Sequence, residues 1–275
     1  RSLDRKIKFQ KINKVVVRNR NLRFIIPKNF EFFLKNKKIN KISRKSKYLI
    51  FHLNNNSFLI IHLGMTGTIH LISKKNCRNT NVSFYGSSNL QAKHNHILIF
   101  LKKYQFIYND PRRFGFIKIL KNKKNLAFFF NNVGPEPLNR KFKISYIFNY
   151  LKGKKKCIKS FLLDQKFVSG IGNIYASEIL NYSKINPFKQ AKKLSKIDIK
   201  KIKYFSNFVL NKAIKKGGSS IRNFKNVKGK SGNYQNEFKV YQRENLNCLN
   251  KSCYGKIKKK TISKRSTFFC NTCQK

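Results

Sequence analysis

The chain has 275 residues, with 63 Lys and Arg against 9 Asp and Glu, a formal charge of +54, and 40% hydrophobic and 14% aromatic residues. That apolar content is enough for packed cores, which excludes a disordered polycation, and the length suits about two domains. A surface this positive calls for a polyanion, nucleic acid before anionic membrane, and no apolar stretch reaches spanning length, since the strongest, Tyr48 to Met65, is cut by Asn54-Asn55-Asn56. No signal-like segment opens the sequence at Arg1, and Cys77 and Cys157 stand unpaired, so a reducing cytoplasm is expected. Lys and Asn fill most polar positions, a bias of AT-rich codons, so the total charge overstates the binding surface. The few carboxylates are therefore informative, and Asp110, Glu136, Asp164 and Glu178 all fall inside motifs.

In chain order, the first half reads as β-structure. Val15-Val16-Val17, Tyr48 to Phe51, Phe58 to Leu63, Ile97 to Leu101 and Phe114 to Leu120 are short β-branched and aromatic runs, separated by Asn, Gly or Lys-rich breaks. Strands without long helices between them predict a sandwich or barrel. The run Ile60 to Leu63 leads into Gly64-Met65-Thr66-Gly67, where the only methionine is either a strand-end core residue or an exposed apolar plug. Lys93-His94-Asn95-His96 reads as a hairpin edge, either solvated or donating to phosphate. Asp110-Pro111-Arg112-Arg113-Phe114-Gly115 marks a turn between strands. There an arginine fork can reach a base edge and an aromatic can wedge between stacked bases, or the turn is simply charged with Phe114 in the core.

Gly134-Pro135-Glu136-Pro137, within Asn131 to Leu138, stops regular structure and reads as a linker. The run Lys154-Lys155-Lys156 suits a solvated face. Gly170-Ile171-Gly172-Asn173 precedes a short helix, Asn173 to Leu180, whose free N–H groups suit a phosphate. Ser195 and Asp198 form a capping box. Ile199, Ile202, Phe205, Val209 and Ala213 then share one helical face that ends at Gly217-Gly218. Phe224 to Gln235 is Lys/Asn/Gly-rich and reads as a mobile loop. Four cysteines close the chain: Cys248 and Cys253 with four residues between them, Cys270 and Cys273 with two. Paired thiolates flanking a short hairpin suit one structural Zn²⁺, with two disulfides or idle thiols as the alternatives.

Together these pieces resemble formamidopyrimidine-DNA glycosylase, the bacterial enzyme family that removes oxidised purines. His62-Leu63-Gly64-Met65, Lys93 to His96, Asp110 to Gly115, Gly134 to Leu138, Asp164-Gln165, Gly172 to Glu178, Gly217-Gly218 and the cysteine hairpin occur in family order along nearly the whole chain. The resemblance implies an α+β multidomain fold: an N-terminal β-sandwich (1–130), a linker (131–144), a helix-two-turn-helix domain (145–239) and a zinc-finger β-hairpin (240–275). It implies a monomer that binds double-stranded DNA containing oxidised purines, associated with the nucleoid and not with a membrane.

By matching positions, Lys47 is similar to the family's β-hairpin lysine, with roles in phosphate contact and elimination. Arg265 is similar to its zinc-hairpin arginine, which grips the phosphate beside the lesion and assists the later elimination. Met65, Arg112 and Phe114 resemble the trio that fills the void of a flipped-out base, Arg112 pairing with the orphaned cytosine. That trio also distinguishes the purine-repair branch from endonuclease VIII. His94, Lys154 and Asn173 resemble DNA-backbone contacts, and Cys248, Cys253, Cys270 and Cys273 the zinc ligands. The family's proline nucleophile and the glutamate after it would align just ahead of Arg1-Ser2-Leu3-Asp4, so an upstream segment carrying them is expected. A lesion-binding protein without catalysis and a generic basic zinc-ribbon protein are the alternatives.

Overall fold

The computed structural model describes residues 2–73, 79–81, 91–219 and 232–275. The chain forms two compact units, Arg1–Asn131 with Ser219–Gly232, and Asn132–Gly218 with Asn233–Lys275.

The first unit is a β-sandwich. In order it contains α1 (Ser2–Ile7), β1 (Ile12–Val17), α2 (Phe30–Leu34), β2 (Ile39–Lys45), β3 (Tyr48–Leu53), β4 (Phe58–His62), β5 (Thr68–Ser73), β6 (Asn79–Asn81), β7 (Asn95–Leu101), β8 (Tyr104–Asn109), β9 (Phe116–Leu120) and α3 (Lys123–Phe129). Antiparallel pairing gives a five-stranded sheet, β1-β7-β8-β5-β6, and a four-stranded sheet, β2-β3-β4-β9. The inner faces meet in one core: Val15, Ile69, Leu71, Ile97, Ile99, Leu101 and Phe106 from the first sheet, Ile39, Ile42, Phe51, Leu53, Leu59, Ile61 and Ile117 from the second. Phe51 and Phe106 close it edge to face with ring centroids 5.7 Å apart, a geometry that adds about 1 kcal/mol beyond area burial. Helix α1 contributes Leu3 and Ile7 to the core, and its Asp4 accepts the Ile42 N–H of β2 at 2.5 Å.

The five apolar runs of the first half are β1, β3, β4, β7 and β9. Phe114 itself stands outside β9, which begins at Phe116. Strands β2, β5 and β8 carry weaker signals. In β2 only Ile39 and Ile42 are buried, among Lys, Ser and Arg on an edge strand.

The second unit contains α4 (Ile144–Leu151), α5 (Ile158–Leu163), α6 (Asn173–Tyr182), α7 (Lys196–Lys215) and the hairpin β10 (Ile257–Ile262) with β11 (Arg265–Cys270). The capping box at Ser195 and Asp198 forms as expected. Gly217 and Gly218 end α7 in left-handed conformation, with the Gly218 N–H returning to the Ala213 carbonyl at 2.8 Å. The buried face of α7 is Ile199, Ile202, Ser206, Val209 and Ala213. Phe205 is only half-buried and stacks on Tyr182. The segment Asn131–Leu138 is irregular, with the Gly134 N–H held by the Gln165 carbonyl at 2.8 Å. Residues 224–231 of the Lys/Asn/Gly-rich stretch lie outside the described residues, as does Cys77. The stretch ends in a short 3₁₀ turn, Tyr234–Glu237, with Tyr234 buried. Among the described residues no helix is long and apolar enough to cross a membrane.

Candidate nucleic-acid interface

Asp110 is fully buried at the end of β8 and ties two loops of the sandwich together. Its Oδ1 accepts the Thr66 hydroxyl at 2.6 Å, and its Oδ2 accepts the Gly115 N–H at 2.8 Å and the Tyr108 hydroxyl at 3.2 Å. Burial pushes the Tyr108 phenol well above its usual range, and the carboxylate beside it acts in the same direction. Thr66 also receives the Arg112 N–H at 3.3 Å. The two loops touch through their backbones. A Cβ on Gly64 would stand 2.6 Å from the Gly115 nitrogen, and its φ of +63° is glycine territory. Arg113 takes a left-handed φ of 56°, an unusual conformation for a bulky residue, at the tightest point of the turn.

This framework leaves its apolar tips in solvent. Met65 is 58% exposed and Phe114 46% exposed, with the Arg112 guanidinium 4.5 Å from the Phe114 ring centroid. Of the two readings open for each residue, the geometry supports the exposed one: neither side chain is in the core.

His62, at the end of β4, pairs in register with Tyr48 on one side and Phe116 on the other. Its ring stacks on Phe116 with centroids 5.4 Å apart. Burial holds its pKa down to about 4, and the charges of Arg23 and Lys47 push the same way. Nδ1 accepts the Gly64 N–H at 3.1 Å, so the ring proton sits on Nε2 as a donor. Lys47 itself is exposed in the two-residue turn of the β2–β3 hairpin, next to Ser46 with its φ of 54°. Lys47, His62 and Arg23 thus gather positive charge and a neutral N–H donor beside the Met65 loop. The sequence marks His62 only as part of a motif. Its role rests on register, which a single strand does not reveal.

His94 is half-buried in a 3₁₀ turn before β7, and its carbonyl receives the Asp110 N–H at 3.1 Å. His96 is not a solvated edge residue. It is buried, with Nε2 at 2.8 Å from the Asp110 carbonyl.

In the second unit, Asn173 opens α6 after Gly172, in extended conformation at the N-cap. Its Nδ2 donates to the Ser266 carbonyl at 2.8 Å, while its Oδ1 is buried without a hydrogen-bond partner among the described residues. Ser266 follows Arg265, which is exposed at the start of β11 beyond a tight turn where Ser263 and Lys264 have φ of 50° and 60°. Lys159 reaches the same strand from α5. Fully buried, its Nζ donates to the Thr267 hydroxyl at 2.8 Å and the Ser266 carbonyl at 3.2 Å. Burial lowers its pKa to about 7, with Arg265 acting in the same direction and Cys157 opposing. The sequence signal for Lys159 was a single charge inside the apolar run of α5. Lys154 is exposed on the α4–α5 loop, where its carbonyl receives the Lys192 N–H at 2.9 Å.

The cysteine pairs converge. All four sulfurs of Cys248, Cys253, Cys270 and Cys273 lie within 4.8 Å of one another, with Cys248–Cys273 at 3.8 Å and Cys253–Cys270 at 3.6 Å. Four thiolates at the usual zinc–sulfur distance place their sulfurs about 3.8 Å apart in a tetrahedron, so the donor set fits such an ion. The thiols are free, which removes the disulfide alternative. Burial works to raise Cys270, yet the N–H groups of Cys273 and Thr272 and the neighbouring thiols bring it down to about 7. Burial pushes Cys248 up to about 12. The longer gap between Cys248 and Cys253 is absorbed by Ser252 in left-handed conformation, and Asn250 Nδ2 contacts the Cys273 sulfur at 3.0 Å.

Known proteins share this arrangement. Residues 1–117 match the formamidopyrimidine-DNA glycosylase N-terminal domain and residues 133–225 match the formamidopyrimidine-DNA glycosylase H2TH domain. A formamidopyrimidine-DNA glycosylase of Wolbachia pipientis is 38% identical over 270 residues, 98% of this chain and 94% of that protein. A Lactococcus lactis glycosylase variant in complex with a Fapy-dG-containing DNA superposes with a TM-score of 0.87 at 32% identity, covering all of this chain and 96% of that one. The Lactococcus lactis glycosylase in complex with DNA containing an abasic site gives 0.85. The matched ranges cover the sandwich and the helical unit, and the chain belongs to the formamidopyrimidine-DNA glycosylase family.

Proposed function

We propose that this protein excises oxidised purines, 8-oxoguanine and formamidopyrimidines, from duplex DNA and then opens the strand by β,δ-elimination. The observation that carries the reading is the set of exposed side chains Met65, Arg112 and Phe114 on loops locked by one buried carboxyl group. A flexible, exposed apolar set on a rigid base suits insertion into a base stack. Extruding a nucleotide costs a few kcal/mol of stacking and pairing. Phe114 would fill the stack, Met65 the void, and the Arg112 fork the edge of the orphaned cytosine. The Lactococcus lactis complexes with Fapy-dG and abasic-site DNA support the substrate class.

Around the extruded nucleotide, Lys47 and Arg265 would hold phosphates and later assist elimination, with His94, Lys154 and Asn173 as further backbone contacts. Asn173 offers an anion the N-terminus of α6, and the bond to Ser266 keeps its side chain against the strand that carries Arg265. The covalent step needs an uncharged amine to attack the sugar, which the family resemblance assigns to a proline aligned ahead of Arg1. Zn²⁺ held by Cys248, Cys253, Cys270 and Cys273 would cross-link the hairpin and take no part in bond cleavage.

The test is borohydride trapping of the natively produced protein on a duplex with 8-oxoguanine opposite cytosine. A covalent adduct is expected. Lesion-selective binding without an adduct would defeat the excision reading, and binding without lesion preference would defeat recognition as well.

A further inference from the structure

The loop between β1 and α2 places two apolar side chains in water on a rigid base. Asn21 and Ile25 bridge across it, and the Ile26 N–H returns to the Arg20 carbonyl at 3.0 Å. Arg20 fastens its far side, with Nη1 on the Pro27 carbonyl at 2.7 Å and Nη2 on Glu31 at 2.5 Å. Leu22 and Ile26 are buried anchors, yet between them Phe24 is 52% and Ile25 76% exposed. A loop held at both feet, with its apolar tip outside, is built to present that tip.

Where the tip is presented follows from its attachments. The Arg23 N–H donates to the Gly115 carbonyl at 3.2 Å, latching the loop to the residue after Phe114. The Phe24 ring meets Phe116 edge to face at 5.0 Å, and Phe116 stacks on His62. The loop therefore borders the same surface as Met65, Arg112 and Phe114, and Arg23 adds its charge beside Lys47. Apolar tips framed by cations match the deoxyribose edges and phosphates that line a DNA groove.

We propose that the 21–25 loop is a further DNA contact, with Phe24 and Ile25 pressing against deoxyribose in the groove next to the inserted Phe114 while Arg23 takes the adjoining phosphate. This rests on the duplex-binding reading above.

The experiment is equilibrium binding of the full-length protein, wild type and Ile25→Ser, Phe24→Leu and Arg23→Gln, to a duplex carrying a tetrahydrofuran abasic analogue, measured across a salt series. Ile25→Ser should lose about tenfold in affinity, the size expected for one branched side chain taken from water. Its salt slope should stay as in wild type, because an apolar contact releases no counterions. Arg23→Gln should reduce that slope by about one. Phe24→Leu keeps packing against Phe116 and should give a smaller loss, with thermal unfolding unchanged. Wild-type affinity for Ile25→Ser, or an affinity loss accompanied by a changed slope, would overturn the contact. Failure of the wild-type protein to bind any duplex would instead remove the duplex reading itself.

Discussion

Each unit of the molecule organises its candidate interface around one fully buried carboxyl group, but the two do so differently. Asp110 accepts two hydroxyls and one backbone N–H, and joins two neighbouring loops of the sandwich whose tips stay exposed. Glu178 of α6 accepts three consecutive backbone N–H groups, those of Lys239, Val240 and Tyr241, at 2.8, 3.0 and 2.9 Å. Burial raises its pKa, and those donors pull it back. The first arrangement aims side chains. The second fixes main chain, because the segment it grips leads directly into a cysteine hairpin with only a small core of its own, Val240, Ile257 and Phe268 beside the thiols. In a chain with nine acidic residues, these two positions are used for architecture and not for surface ion pairs.

The largest way to break the second unit is through its thiols. Cys270→Ser should release bound zinc and unfold the hairpin, since structural zinc contributes on the order of 10 kcal/mol to such small elements. Metal analysis and DNA binding would both fall, and full retention of zinc would rule out the ligand set. Glu178→Ala should come next. It leaves three buried donors unsatisfied, at least about 3 kcal/mol by the usual penalty, and it should lower the unfolding temperature. Asp110→Asn should be milder, about 2 kcal/mol, because an amide turns one acceptor into a donor facing donors. Its effect should fall more on lesion affinity than on thermal stability. If the two carboxyl variants lost stability and affinity in the same proportion, the division between aiming and fixing would not hold.

The two regions were also unequally legible. The helical unit announced itself through local chemistry: Ser195 with Asp198, the Gly217-Gly218 stop and the cysteine spacing each act within a few residues. The sandwich was read from apolar runs, and strands such as β2 and β8 hid because their burial depends on which neighbour they pair with. Individual residues such as Arg112 and Phe114 stood out in the turn they occupy, although the turn alone left a plain charged-turn reading open and the family resemblance assigned their roles. What joins them was not. The bond from Thr66 to Asp110 spans 44 residues and that from Lys159 to Thr267 spans 108, separations over which no sequence period operates.

Within the sandwich, Arg112→Ala should weaken binding to lesions opposite cytosine by about 1–3 kcal/mol, the worth of one bidentate base contact, and weaken undamaged duplex less. Gel-shift titrations with cytosine and with adenine opposite the lesion would read the difference. Equal losses on all duplexes would make Arg112 a plain phosphate contact.

The smallest effect tests whether the charge gathered beside Met65 is paid for in stability. His62 stays neutral in the folded chain down to about pH 4, whereas the unfolded chain takes up its proton near 6.5. Between those values the unfolded state binds more protons, so stability must fall as pH drops through that window and level off below it. The ring is partly open to solvent, so the difference should be about 1 kcal/mol after screening. His52 is also lowered, by burial first and then Lys41, so the wild-type curve alone mixes the two. His62→Gln removes one titration and keeps an acceptor for the Gly64 N–H. Denaturant midpoints for the two proteins, measured between pH 7 and pH 4.5, should converge as pH falls. Parallel curves would mean that burial, helped by the charges of Arg23 and Lys47, does not hold His62 neutral, and that the cluster beside Met65 is looser than its register implies.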